Sequence, residues 1–574
     1  MQPSRETNIL IKETTGGELV VRMLESLGVS HVFGVPGGQT LGIMDALIGS
    51  KIEFVTARHE NAAAVMADAY GRLSGQPGVC IATTGPGATN LMTGVGGSLR
   101  DSSPTLILTC NNRGENINKD DAQNADHVEL FRPITKYSRL VAHRSAIKQA
   151  MEEAYINAMS GNPGPAHLDF AREILENAET DSIEIPEVHP LTKWVVQTPQ
   201  PDERILDQAT ELLVAAKRPI LWLGNGCNNS GAGEAAIALA ELLSIPIVTT
   251  FNGIGAVLGT HPLVFGSLSR MGTYLSTRII ADSDLVIAVG NSLNAVSTKR
   301  WTFKLPKVLQ IDIDPSMLGR YYGEQTLGML SGAEAGIIAL SSRISTRTDI
   351  EVMKNSRTDW IKSLKKEKED WWEETKVEDA MRKNPPFSPA DIVRALREIA
   401  PDDTLLIADA GNPGIWSFLW EVRSKNSYIK PVGFGNMGFG VPAAIAAAVL
   451  DPKRPILVLV GDGSLGMSLA ELETLVRVGG RVAVVVFNDN AYGNIRQEQI
   501  LFFDNRTIGV DFGEVDYAQV AQGLGMEAEN ITSLQVLVNR VDEVLTGDRP
   551  VLFDVPIDPD LSAWTFPSFK SAFV

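Results

Sequence analysis

The stretch Val458–Gln499 constrains the fold of this chain more than any other. Ile456–Val460 is a run of apolar, mostly β-branched residues, which is typical of a strand buried on both faces. Ser468–Val478 has apolar residues at helical spacing, and Val482–Phe487 is a second buried run. A strand, a helix and a second strand in this order predict two neighbouring parallel strands joined by a crossover helix.

The same alternation of apolar strands and helices recurs along the 574 residues. It predicts an α/β protein with three doubly wound parallel-sheet domains, a number that the length also favours. Residues 181–203 are polar and rich in proline, which predicts a linker. We therefore expect domains at residues 1–190, 200–345 and 386–574, and a charged, solvated linker helix at residues 346–385.

Composition excludes several classes of partner. The formal charge of −18 disfavours nucleic acid and anionic membranes as partners. The longest apolar run, Val441–Leu450, is too short to span a membrane, and the N-terminus lacks the apolar core of a signal peptide. The three cysteines, Cys80, Cys110 and Cys227, lie far apart, which indicates reduced thiols in a cytoplasmic protein.

Two acidic residues follow the two strands of the opening unit. Asp462 and Asp489 are 489 − 462 = 27 residues apart, a spacing that suits the carboxyl ends of neighbouring strands. Ligands bind at that edge of a parallel sheet, and Mg²⁺ prefers oxygen ligands shared with phosphate. The adjoining glycines allow a diphosphate to approach the backbone. The alternative is a pair of ordinary strand-end turns, where Gly and Asp are common.

The motif GDG followed by an amide-rich turn resembles that of the thiamine diphosphate (ThDP) enzymes. In the first domain, the pattern FGVPGG…RHENAAAVMADAYGR…TTGPGATN resembles the pyrimidine-binding domain of the acetohydroxyacid synthase group of these enzymes. The resemblance implies that Glu60 hydrogen-bonds the aminopyrimidine of the cofactor. Without the resemblance, Glu60 is an acid favoured by the dipole at a helix N-terminus.

The resemblance also implies a cofactor site in the third domain, which it identifies as diphosphate-binding. The metal ligands would be Asp462, Asp489 and the backbone carbonyl of Ala491. The implied contacts to the cofactor are Gly411, Asn412, Gly435, Met437, Gly463, Ser464 and Tyr492. Asp489 departs from the asparagine of the family, and its extra charge should tighten Mg²⁺ binding yet repel the diphosphate.

Three polar side chains are candidates for contact with the substrate. The family has a Phe-Gln pair where this chain has Ala122-Gln123, so Gln123 matches and the aromatic residue is missing. Glu498 stands where acetohydroxyacid synthases carry a tryptophan, and Asn494 stands near a family methionine. These residues are candidates for proton transfer and oxyanion stabilisation. The alternatives are a solvent-facing loop residue for Gln123 and a solvated helix residue for Glu498.

The middle domain gives a weak nucleotide signal. Its Gly224-Asn225-Gly226 turn lacks the third glycine of a dinucleotide fingerprint, because Asn229 occupies that position. Relatives hold FAD, ADP or nothing here, and the arginine that the FAD-binding relatives carry after Gly290 is absent. FAD, ADP and no nucleotide at all therefore stay open for this domain.

We predict a ThDP- and Mg²⁺-dependent enzyme that makes or breaks a C–C bond beside a carbonyl, as acetolactate synthases do. Its substrate would be a 2-oxo acid or an acyl-CoA derivative. The alternatives are a lyase for a 2-hydroxyacyl-CoA or a 2-hydroxyketone, and a non-catalytic ThDP-binding protein. In the family Glu60 and the diphosphate site come from different subunits, which implies a homodimer or a homotetramer.

Overall fold

The computed structural model describes residues 13–117, 119–180, 183–194, 198–268, 272–374 and 384–563. These residues form two compact units, one within residues 1–99 and 103–196, the other within residues 100–102 and 197–574. Three six-stranded parallel sheets are present, one in the first unit and two in the second. The predicted α/β class with three parallel sheets is confirmed.

The sheet of the first unit has its most buried strands in the centre. Every residue of Gly78–Ala82 and Thr105–Asn111 is buried, as expected for strands covered by helices on both faces. In spatial order the strands are Glu53–Thr56, His31–Gly34, Gly78–Ala82, Thr105–Asn111, Pro165–Ala171 and Tyr137–Val141. The α-helices of this part of the chain are Gly16–Ser26, Leu41–Leu47, Glu60–Ser74, Pro86–Asn90, Met92–Arg100, His127–Phe131, Ile147–Met159, Arg172–Glu176 and Leu191–Trp194.

The first helix shows how a cap moves a predicted boundary. Its apolar spacing predicts a start at Leu19, whereas the helix Gly16–Ser26 begins three residues earlier. Thr15 and Glu18 form a capping box: the Thr15 hydroxyl accepts from the Glu18 amide at 3.1 Å, and the Glu18 carboxylate accepts from the Thr15 amide at 2.7 Å. The cap satisfies amides that would otherwise lack partners, so the helix extends through two glycines.

The second unit begins with the middle sheet. Its strands in spatial order are Val264–Ser267, Ile247–Thr249, Pro219–Leu223, Leu285–Val289, Lys307–Asp312 and Thr326–Leu330. Helices cover it at Glu203–Ala215, Asn225–Ser230, Gly233–Leu243, Tyr274–Asp282 and Ala333–Ser345. Its core is formed mostly by aliphatic residues from the strands and helices, together with Trp222 and Phe265.

The charged segment after the middle sheet is docked along one face. It forms the helices Ile350–Ser356 and Thr358–Glu374, and residues 375–383 lie outside the described part of the chain. Ile361 and Leu364 belong to the core of the middle sheet. The Arg357 guanidinium donates to two backbone carbonyls of that domain, Leu243 O at 2.7 Å and Ala216 O at 2.9 Å. The solvated helix expected here therefore has a packed side.

The third sheet carries the strand–helix–strand unit that contains Asp462 and Asp489. Its strands in spatial order are Tyr428–Ile429, Leu405–Ala408, Ile456–Gly461, Val482–Asn488, Val551–Pro556 and Glu527–Asn530. Its helices are Pro389–Ile399, Asn412–Trp416, Gly440–Leu450, Asp462–Leu465, Glu471–Val478, Gly493–Phe502, Tyr517–Gly523 and Leu534–Thr546. The helix predicted at Ser468–Val478 is shorter, because Met467 and Ser468 donate to carbonyls three residues back and form tighter turns before Glu471.

The cysteines are buried and free of disulfides, as the sequence predicts. Burial raises the thiol pKa of Cys80, Cys110 and Cys227. These thiols are therefore protonated and pack as small apolar side chains.

Among the described residues, no helix combines the length and the apolar character needed to cross a bilayer.

The docking of the charged segment predicts unequal effects for two neighbouring residues. Leu364 is 1% exposed, so Leu364→Ala should lower the free energy of unfolding by about 2–5 kcal/mol through the cavity it leaves. The exposed Lys366 is the matched control, and Lys366→Ala should stay within about 0.5 kcal/mol. Thermal and denaturant unfolding of both variants measure this difference. Equal, small effects would show that the helix is solvated on all sides.

Candidate active site

Asp462 lies directly after the strand Ile456–Gly461, at the carboxyl edge of the third sheet. Its side chain is buried, and two backbone amides donate to it: Gly463 N to Oδ1 at 2.7 Å and Ala491 N to Oδ2 at 3.2 Å. Burial raises the pKa of Asp462 to about 7, and the neighbouring Asp489 carboxylate adds to the shift. The hydrogen bonds to the Asp462 carboxyl group thus come from neutral backbone amides and not from a cationic side chain.

Asp489 follows the adjacent strand Val482–Asn488, whose Phe487 is in register with Gly461. The parallel pairing brings the two carboxylates to the same edge, as the spacing of 27 residues predicts. Arg496 donates to Asp489 Oδ2 at 2.9 Å. Burial still raises the pKa of Asp489 to about 6, although Arg496 opposes the shift.

The turn that contains Ala491 is fixed by a second piece of chain. Asn490 has a φ of +50°, and its carbonyl accepts from Phe512 N at 2.7 Å. Tyr492 N donates to Val510 O at 2.8 Å on the other side of Ala491. These bonds hold the backbone of Ala491 beside Asp462, whose carboxylate accepts from its amide.

These three residues form a donor set that suits Mg²⁺. Two carboxylates and a backbone carbonyl are hard oxygen ligands, and Mg²⁺ usually completes its shell with phosphate oxygens and water. A divalent cation would also relieve the repulsion that contributes to the raised pKa of Asp462. The residues present therefore fit the metal that the sequence analysis predicts.

Asn412 and Gly411 open the short helix Asn412–Trp416 beside the carboxylates. Gly411 has a φ of +80°, a conformation that favours glycine. Asn412 is 7% exposed, and its Oδ1 has no hydrogen-bond partner among the described residues. An unpaired buried amide oxygen is costly, which indicates that a ligand or metal-bound water completes its hydrogen bonding.

Gly493 packs against Asp489 and Asn412, a position that the sequence did not predict. A Cβ atom there would lie 2.3 Å from Asp489 Oδ2 and 3.0 Å from Asn412 Nδ2. Only glycine lets the helix Gly493–Phe502 start this close to the two side chains. Its position directly after Tyr492 in the motif was the available signal.

Ser464 connects the carboxylate edge to the glycine-rich loop 433–440. Its hydroxyl accepts from Gly438 N at 2.8 Å and donates to Asp409, a buried carboxylate at the end of the strand Leu405–Ala408. Asp409 also accepts from Gly440 N at 2.7 Å. Asp409 was missed, although the strand-end rule that identified Asp462 applies to it as well. The side chain of Ser464 is thus used to shape the loop.

The same loop carries Gly435 and Met437. Gly435 is exposed with a φ of +70°, and Met437 is half-buried. The start of the loop is held by Asp101, whose Oδ1 accepts from Gly433 N at 2.6 Å. Asn252 Nδ2 donates to the same oxygen at 2.7 Å. The loop is therefore anchored at both ends while its centre stays accessible.

The ring of Tyr492 explains why position 463 is a glycine. This ring packs edge-on against Phe512 at a centroid distance of 4.6 Å. A Cβ at Gly463 would come within 2.8 Å of the Tyr492 ring and 3.2 Å of the Phe512 ring. The glycine of the GDG motif thus makes room for an aromatic pair that covers the turn.

Asn494 and Glu498 lie one turn apart on the helix Gly493–Phe502. Asn494 Nδ2 donates to Glu498 Oε1 at 3.3 Å, and both residues are half-buried. The hydrogen bond orients the Glu498 carboxylate toward Asn494. The structure brings both predicted substrate residues onto the helix that starts beside Asp489.

Glu60 lies in the first unit as the first residue of the helix Glu60–Ser74. Its Oε2 accepts from Asn90 Nδ2 at 3.0 Å, and the helix is capped by His59, whose Nδ1 accepts from Asn61 N at 3.1 Å. Asn90 belongs to the TTGPGATN turn, so the two halves of the quoted motif meet at this hydrogen bond.

Gln123 lies against the same turn through its backbone. Its carbonyl accepts from the Thr84 hydroxyl at 3.3 Å, and a Cβ at Gly85 would clash with that carbonyl at 2.3 Å. Gln123 has a φ of +60° and an exposed side chain in this unit. The backbone position is fixed, and the role of the side chain stays a prediction.

A buried His–Asp pair supports this turn and was not anticipated. Gly85 N donates to His127 Nε2 at 3.0 Å, so His127 Nδ1–H faces Asp169 Oδ1 at 2.8 Å. Burial alone would raise the pKa of Asp169, but hydrogen bonds from His127 and Thr109 hold it below its usual value. The buried pair of His127 and Asp169 therefore stabilises the turn that contains Gly85 and Asn90.

The glycines of the middle domain serve packing. A Cβ at Gly224 would lie 2.2 Å from Gly290 O, and one at Gly226 would lie 2.7 Å from Gly290 Cα. Asn225 Nδ2 donates to Asp101 O at 2.9 Å. Because these contacts already explain the glycines, they add nothing in favour of FAD or ADP, and the nucleotide stays a prediction.

An α/β chain with parallel sheets and a carboxylate clasp beside a helix N-terminus matches the architecture of one class of enzyme. Family models of the thiamine pyrophosphate enzymes match residues 14–130 (N-terminal TPP binding domain), 206–340 (central domain) and 409–555 (C-terminal TPP binding domain). The chain belongs to this family of thiamine diphosphate-dependent enzymes.

Within the family, the chain is similar to acetolactate synthases over almost its full length. It is 32% identical to a probable acetolactate synthase large subunit of Methanococcus aeolicus, over 95% of this chain and 92% of the relative. It is 32% identical to the large subunit of Lactococcus lactis, over 96% and 93% of the two chains. The isozyme 1 large subunit of Escherichia coli is 30% identical, over 96% and 95%.

The packing at Gly493 predicts a sharp effect of one added methyl group. Gly493→Ala should displace Asp489 and Asn412, because the new Cβ would overlap both, and should weaken binding of ThDP with Mg²⁺ by at least about tenfold. Gly513→Ala is the control, since a Cβ there meets nothing within 4 Å. Isothermal titration of both variants measures the difference. Equal affinities would contradict the assigned packing.

Lys430 predicts a pH dependence of stability. Burial lowers the pKa of the Lys430 ammonium to about 7, although Asp101 opposes the shift. In the unfolded chain the pKa of this lysine is higher, so between the two pKa values the unfolded state binds more protons than the folded state. This residue's contribution to stability must therefore rise with pH from about 7 upward. Lys430→Met removes this pH dependence. The free energy of unfolding of the variant, compared with that of wild type, should therefore be more favourable at pH 6 than at pH 9. Melting temperatures at the two pH values test the sign.

Proposed function

We propose that the protein is a ThDP- and Mg²⁺-dependent enzyme that forms or breaks a C–C bond next to a carbonyl, with acetolactate synthase-like chemistry. It would decarboxylate a 2-oxo acid and transfer the remaining acyl unit to a carbonyl acceptor. The observation that carries this proposal is the clasp of Asp462, Asp489 and the Ala491 backbone beside the unpaired amide oxygen of Asn412. The resemblance to acetolactate synthase large subunits supports the reaction class.

The clasp would hold the diphosphate end of the cofactor. Asp462, Asp489 and the Ala491 carbonyl would bind Mg²⁺, while Asn412 and the amides of Gly463 and Ser464 would contact phosphate oxygens. Gly411 lets the Asn412 helix start in the conformation that presents its N-terminus. Tyr492 would close the turn over these groups and exclude water.

Bound ThDP supplies a carbon nucleophile that can add to a carbonyl and an electron sink for the resulting negative charge. The residues of this chain would position the cofactor and exchange a proton with its aminopyrimidine ring. Met437 would support the cofactor, and the Gly435 carbonyl would accept from its amino group. Glu60, held by Asn90, would exchange a proton with the ring nitrogen of the aminopyrimidine.

Asn494 and Glu498 are the residues of the second unit that we propose to contact the substrate, and Gln123 is the candidate of the first unit. The Asn494 amide can stabilise negative charge on the substrate carbonyl oxygen, and the oriented Glu498 carboxyl can move a proton. Ala122 and Glu498 replace two aromatic residues of the acetohydroxyacid synthases, so the pocket would be wider and more polar than theirs. That difference keeps a lyase for a 2-hydroxyacyl-CoA or a 2-hydroxyketone as the second candidate.

We also propose a homodimer or homotetramer in the cytoplasm, with FAD, ADP or no nucleotide in the middle domain. The family arrangement, in which Glu60 and the clasp come from different subunits, supports the oligomer. Size-exclusion chromatography with light scattering tests the assembly. The absorption spectrum of the purified protein tests for flavin.

Glu60→Gln tests the catalytic assignment. Removing the carboxyl group should lower kcat by about 10²–10⁴-fold, because proton transfer to the cofactor is lost. Binding of ThDP and Mg²⁺ should change little, since the clasp is untouched. Glu115→Gln, at an exposed acid of the same unit, should keep full activity. Unchanged turnover in Glu60→Gln would end the assignment.

A panel of carbonyl substrates identifies the reaction. With ThDP and Mg²⁺, pyruvate and longer 2-oxo acids should release CO₂ and yield a 2-hydroxy-2-alkyl product. Activity only on 2-hydroxyacyl-CoA or 2-hydroxyketone substrates would contradict the synthase assignment and support the lyase assignment. Tight binding of ThDP with no turnover on the whole panel would favour the non-catalytic alternative.

A further inference from the structure

Arg496 lies beside the metal clasp, and none of the roles described so far uses it. It stands on the second turn of the helix Gly493–Phe502, and its guanidinium donates to Asp489 Oδ2 at 2.9 Å. The Asp489 side chain is 4% exposed and that of Arg496 is 16% exposed, so solvent screens this pair only weakly. A second contact reaches Asp511 Oδ1 at 3.5 Å, but Asp511 is 66% exposed.

The charge of the clasp depends on this pair. With an aspartate at 489 instead of an asparagine, Asp462 and Asp489 together carry two negative charges once both are ionised, as metal ligands must be. Arg496 restores one positive charge, so the three side chains sum to −1, the value of an Asp–Asn clasp. A diphosphate is itself strongly anionic, and an uncompensated extra carboxylate within a few ångströms would oppose its binding.

The hydrogen bonding also divides the two oxygens of Asp489. Arg496 donates to Oδ2, the oxygen that packs against Gly493. In the part of the chain that the structure describes, no side chain donates to Oδ1. Arg496 can therefore neutralise the carboxylate through one oxygen while the other stays open to a cation.

We propose that Arg496 is a charge-balancing and positioning residue that makes an aspartate acceptable at position 489 of the cofactor clasp. It rests on the proposed ThDP and Mg²⁺ site and specifies how that site tolerates its departure from the family pattern. The pair works as a unit: removing either charge alone unbalances the clasp, and removing both restores the balance. Arg496 does not touch the reacting atoms.

The test is a double-mutant cycle read by binding. Arg496→Gln, Asp489→Asn and the double variant Asp489→Asn/Arg496→Gln are titrated with ThDP at saturating Mg²⁺, and with Mg²⁺ at saturating ThDP, by isothermal calorimetry. Arg496→Gln leaves two uncompensated carboxylates and should weaken ThDP binding at least tenfold. Asp489→Asn should keep ThDP affinity while weakening Mg²⁺. The double variant should return to within about threefold of wild-type ThDP affinity.

The rescue separates charge balance from a purely structural role, because a double substitution that only disrupts packing cannot restore affinity. Arg496→Lys keeps the charge without the planar fork and should fall between wild type and Arg496→Gln. Should Arg496→Gln fail to fold, the double variant and Arg496→Lys still carry the comparison. ThDP affinity in Arg496→Gln equal to wild type, or a double variant as weak as Arg496→Gln, overturns the proposal. A wild-type protein that binds neither ThDP nor Mg²⁺ overturns instead the proposed function.

Discussion

Two carboxylates buried at the ends of neighbouring parallel strands are the constraint on which the rest of the site depends. Asp462 and Asp489 follow strands whose hydrogen-bonded register fixes their separation. Burying charges without partners is expensive, and one of the two raises the pKa of the other. The surroundings offset part of this cost with the amides of Gly463 and Ala491 and with the Arg496 guanidinium. The remaining imbalance is what a divalent cation would relieve.

Much of this arrangement follows from local sequence patterns. Apolar runs predict buried strands because a parallel strand must be apolar on both faces, and Ile456–Gly461 and Val482–Asn488 follow that rule closely. Once the strands are known, the carboxyl edge identifies Asp462 and Asp489. Glu60 was reachable through the RHE motif and its likeness to a family. In each case the deciding information lies within a few residues.

The supporting residues escaped prediction because their partners are remote in sequence. His127 and Asp169 are 42 residues apart and meet because the helix His127–Phe131 packs against the strand Pro165–Ala171. From the sequence alone, Arg496 has the character of a solvent-exposed helix residue. Its contact with Asp489 becomes evident only in the folded structure. The docked face of the charged segment is similar: its two core residues are outnumbered by charges, so composition indicates solvent while packing decides otherwise. Tertiary contact, rather than propensity, selected these residues.

One helix links the carboxylate clasp to the two residues that we propose to contact the substrate. The helix Gly493–Phe502 begins against Asp489 and Asn412, so its first residue depends on the geometry of the clasp. Asn494 and Glu498 project from its next turns and are bonded to each other. A displacement of Asp489 must therefore move the pair that we propose to face the substrate as well. If Asn494 and Glu498 have that role, a change of substrate would need only a change of side chain on this helix, while the backbone beside the clasp stays the same.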